Sequence, residues 1–90
     1  MTNHLTIPTV RATIDDADDI LLRALGARFR AIRHLRDMKR EAGMSVESPS
    51  REQELKTTWK TKAHELNIPP ELALLVLDFI LTESKRIQST

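Results

Sequence analysis

Three cations fall on one face of the first half of the sequence, where apolar side chains are expected. Steps of three and four residues trace an unbroken heptad seam through Arg11, Ile14, Asp18, Leu21, Leu25, Arg28, Ile32, Leu35 and Lys39. Most of these positions are apolar, so the seam is predicted to face a core. Burying an unpaired cation costs several kcal/mol. Arg11, Arg28 and Lys39 therefore need anionic partners, either in the protein or in a ligand.

Two later segments also carry polar groups on apolar stripes. Arg51 opens a stripe that continues through Leu55, Trp59 (or Thr58), Lys62 and Leu66. Ser84 and Gln88 close a stripe that begins with Leu74, Leu77 and Leu81. Arginine binds carboxylates through two parallel hydrogen bonds, lysine supplies a point charge, and serine and glutamine donate or accept. The joint pattern predicts a small ligand with one or two carboxylates and further uncharged oxygens.

Each of these residues also has a structural interpretation. Lysine and arginine on a seam often lay their stems on the core and keep their charged ends in water. Asp18 is interpreted as the ion-pair partner of a basic residue across the seam. Ser84 could be a surface hydroxyl, and Gln88 could belong to a frayed helix end. The ligand hypothesis depends on the pattern as a whole, which these separate interpretations fit poorly.

A second group of arginines is interpreted as a solvated face and not as a nucleic-acid surface. Most of its members lie off the seam: Arg23, Arg30, Arg33, Arg36 and Arg40. Aspartates and a glutamate nearby supply countercharge, and the net charge of the 90-residue chain is only +1. A general nucleic-acid binder carries a larger basic excess.

Composition excludes several other classes. The chain has no cysteine, which rules out disulfides and thiolate metal sites, and its three histidines lack the spacing of metal ligands. No phosphate-binding loop such as GxxxxGK is present. The N-terminus lacks a basic segment followed by a long apolar run, and the apolar stretch 72–77 is too short to span a bilayer. We expect a cytoplasmic protein without metal, cofactor or membrane contact.

Three helices are predicted to position these residues, which makes the chain an all-α protein. The first runs from about Val10 to Gly43, the second from Ser48-Pro49 to near Asn67, and the third from about Pro70 to Gln88. Serine favours the N-cap, proline the first helical position and glycine the C-terminal stop. The third helix is apolar nearly all round and is predicted to be central and buried. Residues 1–9 are predicted to be a tail, and residues 10–90 a single domain.

The first helix is too long for a compact domain of this size. At about 1.5 Å per residue it would extend roughly 45–50 Å. A domain of this length has a radius of gyration near 13 Å, or a diameter of about twice that value. The helix must therefore be covered by something other than its own two short partners.

The motifs VRATIDDADDILLRALGARF, RDMK, SPSREQEL and ILTESKRIQ, with these separations, resemble the all-helical chorismate mutase family, chorismate mutase type II. The resemblance covers about Val10 to Gln88. It implies an intertwined homodimer, a six-helix bundle in which each long first helix crosses its mate. That arrangement would cover the excess length of the first helix.

The resemblance also implies a site for chorismate, which has two carboxylates, an enol ether oxygen and a ring hydroxyl. Its expected ligands in one protomer are Arg28, Lys39, Arg51, Glu52, Ser84 and Gln88, with Arg11 entering from the partner. The arginines would hold carboxylates, Lys39 and Gln88 would address the ether oxygen, and Glu52 would accept from the ring hydroxyl. Ser48 stands where many members carry an aspartate near that hydroxyl, which leaves this contact open.

The implied reaction is a concerted Claisen rearrangement to prephenate, in phenylalanine and tyrosine biosynthesis, which needs no cofactor. One alternative is an isochorismate-pyruvate lyase, a different reaction on a similar scaffold. The lyases that resemble this pattern carry an apolar residue at the position of Glu52, so Glu52 favours the mutase. The other alternative is a non-catalytic helical dimerisation module, against which Lys39 and Gln88 argue. Activation by a partner enzyme of the shikimate pathway is left open.

Overall fold

The computed structural model describes residues 5–90, which form three α-helices. Helix α1 spans Ile7–Ala42, α2 spans Pro49–Glu65 and α3 spans Pro70–Gln88. No strand occurs within residues 5–90, which confirms the all-α prediction. None of these helices is long and apolar enough to cross a membrane. The dimeric six-helix bundle stays a prediction, because the structure contains one chain.

Helix α1 begins three residues before the predicted start at Val10. Its N-terminus is a reciprocal threonine pair: the Thr9 N–H donates to Thr6 Oγ1 at 3.2 Å, and the Thr6 N–H donates to Thr9 Oγ1 at 2.9 Å. This pairing is a capping box with threonine in place of the usual glutamate. Pro8 lies within the first turn, where a missing N–H costs nothing. Residues 1–4 of the predicted tail lie outside the described residues.

Gly43 ends α1 as predicted. Its φ of +66° is left-handed. The Met44 N–H donates to the Lys39 carbonyl at 2.8 Å, and the Gly43 N–H donates to the Arg40 carbonyl at 3.2 Å. These two bonds form a Schellman motif, which satisfies the last carbonyls of the helix and turns the chain away from its axis. The loop that follows therefore leaves α1 in a fixed direction.

A second left-handed residue, Asn67, closes α2. Its φ is +57°, and the Ile68 N–H donates to the Ala63 carbonyl at 2.8 Å. Helix α2 thus ends at Glu65, two residues before the predicted end, because its last turn is used by this motif. Pro70 then starts α3 at the predicted residue. The short connection makes α2 and α3 an antiparallel pair.

The buried core lies within the unit Ile32–Thr90, where α2 packs against α3. Its apolar members are Ala63, Ala73, Leu77, Ile80 and Ile87. Helix α3 supplies most of them, but it is not buried all round as the sequence predicted. Phe79 is 78% exposed, and Leu72, Leu75 and Val76 are also exposed. One face of α3 packs in the core, while its other apolar face lacks cover within the described chain.

Helix α1 carries no buried residue. Because α1 is one continuous helix, the predicted seam residues share one of its faces, but Ile14 and Leu21 on that face are 53% and 56% exposed. The chain divides into two units, one ending at Ala31 and one spanning Ile32–Thr90, and the boundary falls within α1. The apolar seam is therefore exposed at Ile14, Leu21 and Leu35 and half-buried at Leu25 and Ile32.

We predict that Gly43→Ala destabilises the fold by about 1–2 kcal/mol, because a Cβ is strained at this left-handed φ. No neighbouring atom would block the added Cβ, so the backbone conformation alone sets the penalty. Gly43→Asn is the matched control and should lose less, since asparagine tolerates this conformation better. Denaturant unfolding at one fixed protein concentration measures both. Equal losses would mean that φ is not the cause.

Candidate functional site

The side chains of Lys39 and Gln88 meet although they lie on different helices. Lys39 Nζ donates to Gln88 Oε1 at 2.9 Å. Lys39 lies in the last turn of α1 and is half-buried, while Gln88 ends α3 and is 8% exposed. The frayed end considered for Gln88 is therefore wrong. The two residues to which the family resemblance assigned the ether oxygen lie together.

The Lys39 ammonium is held by neutral groups alone. Its second contact is the Val46 carbonyl, at 3.0 Å, in the loop that follows Gly43. No carboxylate pairs with Lys39 among residues 5–90. Carbonyl dipoles reduce the cost of partial burial but leave the charge uncompensated. This position therefore carries a net positive charge that an anion can neutralise.

Each member of the Lys39–Gln88 pair has one donor left. An ammonium has three protons, and two of those on Lys39 are used by Gln88 and Val46. A primary amide has two, and one of those on Gln88 goes to the Ser84 carbonyl at 3.3 Å. One charged and one neutral N–H thus remain for an oxygen atom in which negative charge develops.

Ser84 lies one helical turn before Gln88 and is buried, which contradicts its interpretation as a surface hydroxyl. Its Oγ donates to the Ile80 carbonyl at 2.7 Å, and its own carbonyl accepts from Gln88. The stripe predicted on α3 is thus confirmed as an inward face, since Leu77, Ser84 and Gln88 are all buried.

Glu52, the predicted acceptor for a hydroxyl, forms an ion pair. Its Oε1 lies 2.6 Å from Lys85 Nζ, and Glu47 Oε1 lies 3.9 Å from the same nitrogen. The hydrogen bond to Glu52 raises the pKa of Lys85 above its usual value, and burial opposes the shift. Glu52 and Lys85 line a polar cavity of about 170 Å³ between α2 and α3.

Among the described residues, neither Arg51 nor Ser48 forms a hydrogen bond or ion pair with Lys39 or Gln88. The Arg51 side chain is 60% exposed and pairs with Glu54 of its own helix at 2.5 Å. Ser48 is the N-cap residue of α2 as predicted, but its side chain makes no capping hydrogen bond. Its backbone carbonyl accepts from the Glu52 N–H at 3.0 Å instead.

Arg11 and Arg28 belong to the unit that ends at Ala31, whereas the other predicted ligands belong to the unit Ile32–Thr90. Arg11 is exposed and Arg28 is half-buried. Both occupy α1, as the seam predicted. Their assignment to a shared site stays a prediction.

Two contributors were missed by sequence reasoning. The Val46 carbonyl is a backbone group, and no side-chain pattern marks it. Lys85 had a signal: α2 and α3 were predicted to be joined by a short turn, which places the first turn of α2 near the last turn of α3. An acid at Glu52 and a base at Lys85 could have been paired on that ground.

A second cavity, of about 490 Å³, is apolar and contains none of the predicted ligands. It is lined by Trp59, Lys62, Ala63, Leu66, Ile68, Leu72, Ala73 and Val76. It lies toward the turn between α2 and α3, whereas Lys39 and Gln88 lie toward the opposite end of α3.

The family model for chorismate mutase type II matches residues 10–89 of the chain. The chain belongs to the chorismate mutase type II family. The match spans all three helices and includes every residue of the predicted site. No curated protein and no solved structure shows significant similarity to the chain.

Proposed function

We propose that this chorismate mutase family member converts chorismate to prephenate in the cytoplasm, as a step of phenylalanine and tyrosine biosynthesis. The observation that carries the proposal is the Lys39 ammonium, half-buried without a carboxylate and hydrogen-bonded to the buried Gln88 amide. A merely structural lysine would be expected to reach water or an acid. This one is held among neutral dipoles, as a binding site for negative charge requires.

The proposed chemistry needs no nucleophile and no proton transfer. In the rearrangement the ether C–O bond breaks as a C–C bond forms, and negative charge builds on the ether oxygen. The remaining protons of Lys39 and Gln88 would stabilise that charge. Holding the substrate in a folded, chair-like conformer would supply the rest through orientation. A millionfold acceleration requires about 8 kcal/mol.

The other ligands are proposed from the family pattern. Arg28 and Arg51 of one protomer and Arg11 of its partner would hold the two carboxylates. Arg51 would leave its exposed pair with Glu54, and such surface pairs stabilise by only about 0–1 kcal/mol. Glu52 would accept from the ring hydroxyl. Ser84 and Ser48 would line the site.

An intertwined homodimer is part of the proposal. Helix α1 has 36 residues and none of them is buried, while Ile14, Leu21 and Leu35 of its apolar seam are exposed. A chain of 90 residues buries only a modest core by itself, so burial of these apolar side chains against a second copy would add to its stability. Crossing α1 helices would bury both seams and bring Arg11 of each chain to the other chain's site.

The isochorismate-pyruvate lyase alternative is less well supported. The lyases that resemble this pattern carry an apolar residue at position 52, whereas this chain carries Glu52 there, in a polar cavity with Lys85. A non-catalytic dimerisation module would have no use for the Lys39 arrangement. Formation of prephenate from chorismate would identify the mutase, release of pyruvate from isochorismate would identify the lyase, and a non-catalytic module would form neither product.

We predict that Lys39→Ala lowers kcat/KM for chorismate at least a hundredfold, or about 3 kcal/mol, the scale of losing a transition-state donor. Arg40→Ala, which removes an exposed cation next to it, is the matched control and should stay within about twofold. Circular dichroism checks that both variants are folded. A folded Lys39→Ala protein with the turnover of the wild type would refute the site.

Gln88→Glu should make activity rise as pH falls. A glutamate at this position can donate to the ether oxygen only when protonated, and the Lys39 ammonium would keep its pKa low. Gln88→Met has no donor at any pH and should be weakly active with a flat profile. The pH dependence of kcat distinguishes the two. A Gln88→Glu enzyme that is fully active and insensitive to pH would show that Gln88 does not contact the reacting oxygen.

Arg11→Ala and Arg28→Ala should each be nearly inactive, but a co-refolded mixture should regain activity. If pairing is random, about half of the dimers are mixed, and each has one doubly defective and one intact site. Activity should then reach roughly a quarter of the wild-type value. Each variant refolded alone is the control. Inactive mixtures with mixed dimers demonstrated by native mass spectrometry would mean that the site is not shared.

A further inference from the structure

Lys85 joins the end of α3 to a proposed substrate ligand at the start of α2. Its Nζ lies 2.6 Å from Glu52 Oε1 and 3.9 Å from Glu47 Oε1. This pair bridges two helices, whereas Arg51 and Arg86 pair with acids three residues away on their own helices. Glu52 is in the first turn of α2 and Lys85 is in the last turn of α3. A negative charge at a helix N-terminus and a positive charge at a helix C-terminus both interact favourably with the helix dipole.

Glu52 poses an electrostatic problem in a site for an anion. An ionised carboxylate near a dianionic substrate repels it, and the repulsion grows as water is excluded. Lys85 offsets that charge through direct contact. Lys85 is bonded to Oε1, so Oε2 remains available to accept a further hydrogen bond. The ion pair can therefore present an acceptor to the substrate without presenting a net negative charge.

We propose that Lys85 is a positioning residue: it orients the Glu52 carboxylate and offsets its charge, so that Glu52 accepts a hydrogen bond from the hydroxyl of an anionic substrate. This inference rests on the proposed function of the chain. It assigns Lys85 no contact with the reacting atoms. The raised pKa of Lys85 keeps its ammonium charged throughout the pH range of the assay.

The proposal makes a kinetic distinction. The ring hydroxyl is not part of the bonds that break or form, so its contact with Glu52 is made equally in the ground and transition states. Loss of such uniform binding raises KM and leaves kcat nearly unchanged. A lysine that only supported the fold would not produce this division.

Lys56 is the matched control within the same cavity. It lies on α2, lines the cavity with Glu52 and Lys85, and makes no ion pair among the described residues. Lys56→Met and Lys85→Met remove the same charge from the same rim. Both substitutions should weaken the long-range attraction of the substrate equally. Any larger change in KM for Lys85→Met therefore reports the contact of Lys85 with Glu52.

The test measures steady-state prephenate formation at one ionic strength. Lys85→Met should raise KM about tenfold, the scale of one charge-assisted hydrogen bond, with kcat within about twofold. Lys56→Met should change KM no more than about twofold. Lys85→Arg should restore most of the loss, because a guanidinium also pairs with a carboxylate. In a Glu52→Gln background, Lys85→Met should change KM by less than about twofold, since the carboxylate through which Lys85 acts is absent.

Three results would overturn the inference. Equal effects of Lys85→Met and Lys56→Met would reduce Lys85 to a general surface charge. A tenfold effect that persists with Glu52→Gln would show that Lys85 does not act through Glu52. A loss confined to kcat would place Lys85 in the chemical step. If Lys85→Met fails to fold by circular dichroism, Lys85→Gln carries the same comparison. Absence of prephenate with the wild-type protein would instead refute the proposed function itself.

Discussion

A half-buried ammonium without a carboxylate partner is the constraint on which the rest of this structure depends. Lys39 is solvated by the Gln88 amide and the Val46 carbonyl, two neutral dipoles that lower the cost of burial and leave the charge intact. Evolution commonly removes such a charge or pairs it, since apolar packing is at least as stabilising. The proposed anionic ligand would supply the missing negative charge beside the Lys39–Gln88 hydrogen bond.

The backbone of the surrounding elements serves this arrangement. The left-handed Gly43 ends α1 four residues after Lys39 and directs the loop so that the Val46 carbonyl reaches Nζ. The left-handed Asn67 ends α2 and lets α3 return along it. Gln88 lies in the last turn of α3, where it is buried. Local stop signals therefore decide where the two donors of the site meet.

Charge is treated differently at Lys39 and at Glu52, two of the proposed ligands. Lys39 is left uncompensated, whereas Glu52 is paired with Lys85 at 2.6 Å. In a site for an anion, both features act in the same direction: positive charge stays available and negative charge is offset. The exposed apolar residues of the α1 seam add a separate requirement, because a chain of this size buries only a modest core by itself. A second copy of the chain would meet it and would complete the proposed set of arginines.

The sequence by itself determined the three helices, the stop at Gly43, the start at Pro70, and the inward faces that carry Lys39, Ser84 and Gln88. Each of these follows from helical periodicity or from the backbone limits of glycine and proline, which are local. The start of α1 was missed because Thr6 and Thr9 form an unusual capping box. Only the tertiary structure decided that Lys39 meets Gln88 across 49 residues and that Lys85 holds Glu52. Periodicity gives the face on which a side chain lies, but the neighbour opposite that face depends on how the helices pack.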